Sequence, residues 1–180
     1  GMILDLGRRR PKDVDYDTAL MRCVSFYRGL HIAATLEGYG IRAINSSSTS
    51  NICGNKLLAS VALERHGVRT PRTLVAFTPE AACRAANLLG YPSVLKPVVG
   101  SWGRLIAPLK DEDTAEAILE DRTYMYPLYQ IFYLQEYVDR PPRDIRFRVW
   151  CPIRMTPRLM ASVMGTDSAV TTPARTSRRK

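Results

Sequence analysis

Lys96 lies inside the apolar run Ser93-Val94-Leu95-Lys96-Pro97. Burying an ammonium without an anion is costly, so this position calls for a carboxylate or phosphate partner; alone, it reads equally as a strand-end lysine whose stem is covered and whose head reaches water. The segment Gly100-Ser101-Trp102-Gly103-Arg104 follows closely. Its two glycines allow close backbone approach, its N–H groups can converge on an anion, and Ser101 and Arg104 add donors. A lysine beside such a loop suits a polyphosphate, whereas the loop alone would equally be a β-hairpin turn. Lys56 opens a predicted helix, where the macrodipole disfavours a cation unless an anion is present; by itself it reads as a surface lysine. Gln135-Glu136-Tyr137-Val138 closes an apolar strand, a place where a hinge offers a backbone donor and acceptor to a purine edge. Asp144 is placed to accept from ribose hydroxyls. Each of these, singly, is also an ordinary strand end with surface charges. Together they predict that Lys56 and Lys96 face one cleft roofed by Gly100 to Arg104. They also predict that the backbone groups of Glu136 and Val138 are free of sheet partners, with Asp144 facing the same space.

Alternating strands and helices must hold these residues. Tyr16 to Val24 reads as a short buried strand, Tyr27 to Glu37 as a helix closed by Gly38, and Ile41 to Ile44 as a second strand. Asn45 to Ser50 reads as a loop. Asn55 caps a helix from Lys56 to about His66, with Gly67 as its left-handed stop. Arg72 to Phe77 is a strand, and Thr78-Pro79 starts a helix that ends at Gly90. Ser93 to Pro97 leads through the glycine loop to another strand, and Asp111 caps a helix reaching Glu120. Ile131 to Val138 is the strongest strand candidate, and after Pro141-Pro142 the segment Asp144 to Val149 reads as its pairing partner. The pattern implies an α/β or α+β fold.

The composition, 46% hydrophobic and 24% charged over 180 residues with 9 Tyr, 4 Phe and 2 Trp, excludes a wholly disordered or collagen-like chain. No apolar run approaches the length of a membrane helix, and no secretory signal opens the chain, so a cytoplasmic location is expected. Cys23, Cys53, Cys83 and Cys151 are far apart and away from His31 and His66, so no zinc site is readable and reduced, minor thiols are expected. Of the net charge of +9, residues 151 to 180 carry +5, with Asp167 their one acid. The excess therefore belongs to a Pro-, Arg-, Ser- and Thr-rich tail, which argues against a nucleic-acid surface on the body of the protein.

The ordered set Gly54-Asn55-Lys56, Gly67-Val68-Arg69-Thr70-Pro71-Arg72-Thr73, Val94-Leu95-Lys96-Pro97, the glycine loop, Gln135-Glu136-Tyr137-Val138 and Arg143-Asp144-Ile145-Arg146 resembles the ATP-grasp superfamily and, within it, the RimK-like ligases. Arg22-Cys23-Val24-Ser25 with Arg28-Gly29-Leu30, and Gly100-Ser101-Trp102-Gly103-Arg104-Leu105, narrow the resemblance to the LysX/ArgX family. That family ligates α-aminoadipate or glutamate to the C-terminal glutamate of the carrier protein LysW, through an acyl phosphate and with magnesium.

The resemblance implies that Lys56 and Lys96 contact the nucleotide phosphates, with Lys96 and Arg104 catalytic. Gly100, Ser101, Trp102, Gly103, Arg104, Leu105 and Ile106 would form the loop over the phosphates. Gln135, Glu136, Tyr137 and Val138 would hold adenine, with Asp144 at the ribose and Arg146 in the same nucleotide site. It implies ATP and magnesium as cofactors, LysW and a small amino acid as partners, no membrane role and a homo-oligomer. The expected domains are a remnant of the N-terminal domain over 1–50, an ATP-grasp region over 51–149 (a central part about 70–138 and the start of a C-terminal part over 139–149), and an unrelated tail over 150–180. The tail has the composition of a shifted reading frame, and the family's magnesium ligands follow the Asp-Ile-Arg string, so the chain as written is expected to be inactive. Two alternatives stand beside this reading: a RimK-like ligase acting on a ribosomal-protein tail, and a non-catalytic nucleotide- or nucleic-acid-binding module.

Overall fold

A computed structural model describes residue 3, residues 6–7, 16–100 and 103–139. Ser101, Trp102, Asp144, Arg146 and the 150–180 tail lie outside the described residues, as does Cys151. The chain divides into two compact units, the first ending at Ser47 and the second beginning at Ser48.

In the first unit, strand β1 (Thr18–Leu20), helix α1 (Phe26–Gly38) and strand β2 (Arg42–Ile44) make a parallel crossover in which Ala19 pairs with Ala43. Ser25 caps α1 through its hydroxyl, which accepts from the Arg28 N–H at 3.4 Å. Ala19, Leu36 and Ile41 form the buried centre, with Tyr16, Met21, Ile32 and Tyr39 packed around them. The strand expected over Tyr16 to Val24 is shorter than its apolar content suggests, and Val24 is fully exposed.

The loop expected over Asn45 to Ser50 is instead the start of helix α2 (Ser47–Gly54). Its Ser-rich sequence is a poor helix former, and the compensation comes from outside it. The Glu37 carboxylate accepts the Ser47 N–H at 2.9 Å and also bonds the Ser47 hydroxyl. An anion on the first-turn N–H groups satisfies orphan donors and complements the helix dipole.

The second unit begins with α3 (Lys56–Arg65), capped as expected by the Asn55 side chain, which accepts from Leu57 and Leu58 N–H. Its sheet holds β3 (Thr73–Ala76), β4 (Ser93–Lys96), β5 (Ala107–Leu109) and β6 (Phe132–Glu136) in the order β3-β6-β4-β5, antiparallel throughout. Helices α4 (Pro79–Leu89) and α5 (Glu112–Thr123) start at the expected caps, Thr78 and Asp111. They cover one face of the sheet, where Ala82, Ala85, Ala86, Ala115 and Leu119 pack on Leu95, Leu109, Phe132 and Leu134. The alanines let α4 approach closely, and the strand leucines alternate with residues of the opposite face.

Strand β6 is flanked on both edges, by β3 and by β4; its expected pairing strand, Asp144 to Val149, lies outside the described residues. No helix among the described residues is long and apolar enough to cross a membrane. Burial and the nearby Glu116 carboxylate push the Cys83 thiol above its ordinary value, which suits a packing role rather than a reactive one.

Phe132 is completely buried at the middle of this core. Phe132→Ala should therefore cost about 3–5 kcal/mol of unfolding free energy, read from urea titration. A loss under about 1 kcal/mol would mean that the core is not built on this strand.

Candidate functional site

The sheet face opposite α4 and α5 carries Thr73 and Val75 of β3, Tyr133 and Gln135 of β6, and Val94 and Lys96 of β4. The registers Thr73↔Gln135, Val94↔Gln135 and Lys96↔Tyr133 set these as cross-strand neighbours. Tyr133 and Gln135 are buried although polar, so their bonding has to be accounted for atom by atom. Lys96 Nζ donates to Gln135 Oε1 at 2.6 Å. Gln135 Nε2 donates to Thr73 Oγ1 at 2.9 Å and to Tyr133 Oη at 3.3 Å. With its oxygen turned to the ammonium, the amide has one orientation that satisfies all three contacts. Tyr133 Oη also shares a hydrogen bond with Ser60 Oγ at 2.8 Å, in which either hydroxyl can donate. Thr73 Oγ1 in turn donates to the Pro71 carbonyl at 2.9 Å. One glutamine thus ties the lysine of β4 to β3 and, through Tyr133, to helix α3.

Helix α3 brings the second lysine. The Lys56 N–H donates to the Val98 carbonyl at 2.7 Å and its Nζ to the Gly100 carbonyl at 3.1 Å. Lys56 therefore sits on the segment that leaves Lys96 and enters the glycine loop. Burial holds its ammonium below the ordinary 10.5. Because Ser60 meets Tyr133, and Tyr133 stands across from Lys96, helix α3 lies on the same sheet face as Lys96. A groove of about 370 Å³ runs between α3 and β3, with Ser60 and Thr73 in its walls.

The loop exit is tight. Gly103 and Leu105 both have positive φ, 67° and 59°, and Gly103, Arg104, Leu105 and Ile106 are exposed. The adenine hinge departs from expectation at Glu136, whose N–H is donated to the Arg72 carbonyl at 2.9 Å while its carboxylate accepts the Arg72 N–H at 2.8 Å. Strand β3 effectively continues one residue beyond Thr73 and takes up that donor. Tyr137 and Val138 follow the strand end and are half exposed. Asp144 and Arg146 lie outside the described residues. Sequence reasoning overlooked Tyr133 and Ser60, and gave Thr73 a place in a motif but no role; Tyr133 and Thr73 alternate with core residues in strands, which marked a face only.

The donor set suits an anion of several charges: two lysines, backbone groups of a glycine loop and an exposed arginine. Among the described residues no group of three or more His, Cys, Asp or Glu could hold a metal ion. They do not by themselves fit magnesium, and no step is derived through it.

Comparisons with known proteins bear on family and fold. The LysX preATP-grasp domain family matches residues 2–52. The α-aminoadipate–LysW ligase LysX of Sulfurisphaera tokodaii is 44% identical over 133 residues, 73% of this chain and 47% of its own length. The glutamate–LysW ligase ArgX of Sulfolobus acidocaldarius is 39% identical over 132 residues, again 73% of this chain and 47% of its own. The crystal structure of a RimK domain ATP-grasp protein from Sphaerobacter thermophilus superposes with a TM-score of 0.59 at 27% identity, covering 73% of this chain and 49% of that one. The chain spans about half the length of the curated relatives it matches.

Gln135→Leu removes the acceptor of Lys96 and the donor to Thr73 and Tyr133 in one step. It should cost about 1–3 kcal/mol in urea unfolding at unchanged slope. An unchanged midpoint would show that the polar network is not formed in solution.

Proposed function

We propose that this chain, which belongs to the LysX/ArgX family of the ATP-grasp fold, carries the nucleotide-phosphate half of an ATP-dependent carboxylate–amine ligase. Its substrates would be α-aminoadipate or glutamate and the carrier protein LysW. The observation that carries the reading is the shared sheet face on which Lys96, fixed by Gln135, meets the helix whose first residue, Lys56, rests on the glycine loop. The names of the relatives support the substrate class.

In this reading ATP, when bound, supplies the phosphoryl group that activates a carboxylate for attack by an amine. Lys96 and Lys56 bind and orient the phosphates, and Arg104 offsets charge as it develops on the transferred group. Gly100 and Gly103 let backbone N–H groups come close, with Ser101, Trp102, Leu105 and Ile106 completing the loop. Gln135 orients Lys96, and Glu136, Tyr137 and Val138 flank the adenine, with Glu136 contributing through its carbonyl side because its N–H is taken. Asp144 at the ribose and Arg146 beside it complete the site. Magnesium would use ligands beyond the described residues.

Binding of ATP, followed by calorimetry, tests this reading. Lys96→Ala should weaken the affinity about tenfold or more, as expected for loss of a charge-assisted contact. Equal affinities for the two proteins would overturn the phosphate assignment.

A second expectation concerns protons. Burial lowers the Lys56 pKa, so in the window between that depressed value and 10.5 the folded protein holds fewer protons on this group than the unfolded chain. Stability from this group accordingly rises with pH through the window and is lowest below it. A phosphate beside the ammonium raises the pKa again, so ATP binding in that window should take up protons. Calorimetry in buffers of different ionisation enthalpy reads the uptake, and Lys56→Met should reduce it. Identical uptake in the variant would separate Lys56 from the phosphates.

A further inference from the structure

Arg122 is the buried cation that the nucleotide reading leaves unused. It lies in the last turn of α5 and is 6% exposed. Its Nη2 donates to the Leu105 carbonyl at 2.7 Å and its Nη1 to Met125 Sδ at 3.6 Å. Among the described residues these are its hydrogen-bond partners, and neither is an anion. A guanidinium removed from water needs stronger compensation than a thioether gives, which makes the carbonyl contact the one that holds it.

The carbonyl it holds is unusual. Leu105 is the one non-glycine residue with positive φ, 59°, among the described residues. A branched side chain in the left-handed region is unfavourable and persists where surrounding structure imposes it. The nearest turn bond, from the Ile106 N–H to the Gly103 carbonyl, is long at 3.4 Å. Leu105 itself is 41% exposed, so its side chain is packed only in part. Among the described residues, the short bond from the buried guanidinium is the hydrogen bond that holds the Leu105 carbonyl.

We propose that Arg122 is a positioning residue: its buried guanidinium fixes the exit of the glycine loop, Gly103 to Ile106, in the conformation that presents Arg104 and the loop backbone to a bound polyphosphate. The second half of this statement rests on the nucleotide reading above; the first half does not.

Trypsin supplies a probe inside the segment, because Arg104–Leu105 is a cleavable bond. Cleavage there requires the exit to open, whereas cleavage after Arg84, within α4, requires a helix to open. Arg122→Met should accelerate cleavage at Arg104 about tenfold or more relative to Arg84, the scale expected when a hydrogen bond to a charged group is lost. Arg122→Lys keeps the charge and stem with a single-point donor and should fall between; it also serves if the methionine variant does not fold. Unchanged relative cleavage in either folded variant would overturn the proposal. An equal rise at Arg84 would also overturn it, by showing a general role in stability.

The affinities of the same proteins for ATP and for adenosine separate the two halves. Arg122→Met should reduce the preference for ATP and leave adenosine binding unchanged. Selective cleavage with the preference intact would overturn the phosphate half alone. A wild-type protein with no preference for ATP would overturn the nucleotide reading, while the cleavage ratio still decides the anchor.

Discussion

Everything described in the second unit depends on strand β6 having different chemistry on its two faces. Phe132 and Leu134 point into the helices and are fully buried in apolar surroundings, while Tyr133 and Gln135 point the other way and are buried with polar partners. Because side chains alternate with a period of two, a register slip of one residue would put the glutamine among leucines and the phenylalanine among hydroxyls. The apolar face is worth several side chains of burial, so it fixes the register. The polar face inherits a defined geometry from that constraint. Lys96 is aimed by an amide whose own orientation is fixed by two further contacts, and all of them stand on strands that the core holds in place.

Much of this was legible in the sequence. Asn55, Thr78-Pro79 and Asp111 announce helix starts because capping is local chemistry, and each cap bonds as its type demands. The strands containing Leu95 and Leu134 could be read from their apolar content. What stayed hidden depends on residues distant in the chain. Helix α2 forms in a serine-rich run because the Glu37 carboxylate reaches its first turn, and nothing within Asn45 to Ser50 signals that. The central place of β6 was equally unreadable, since its content shows a buried strand and not which neighbours flank it.

The candidate site divides in the same way. Lys56 and Lys96 were found because a cation in an apolar strand or at a helix start conflicts with its local setting, and such conflicts mark function. Tyr133 and Thr73 conflict with nothing, being good strand formers, so their roles appear only once the strands are side by side. Arg122 is a favourable residue for the last turn of a helix, and nothing in its local sequence singles it out. Its burial, and the carbonyl it meets from an earlier loop, are tertiary facts.

The two lysines show how a site can be assembled before its ligand arrives. An ammonium group without a nearby acceptor would hold out for water. Here Lys56 Nζ donates to the Gly100 backbone carbonyl, and Lys96 Nζ has the Gln135 side-chain oxygen among its partners. Neutral carbonyls are good enough acceptors to hold the side chains near their working positions, yet weaker than a phosphate oxygen, which forms charge-assisted bonds. The backbone bond from Lys56 to Val98 adds what the side chains cannot, because it joins the start of α3 to the exit of β4 whatever the ammonium groups are doing. The polar face is thereby organised by contacts of two strengths: permanent ones through the backbone and Tyr133, and exchangeable ones at the lysine tips, which an anion is able to replace.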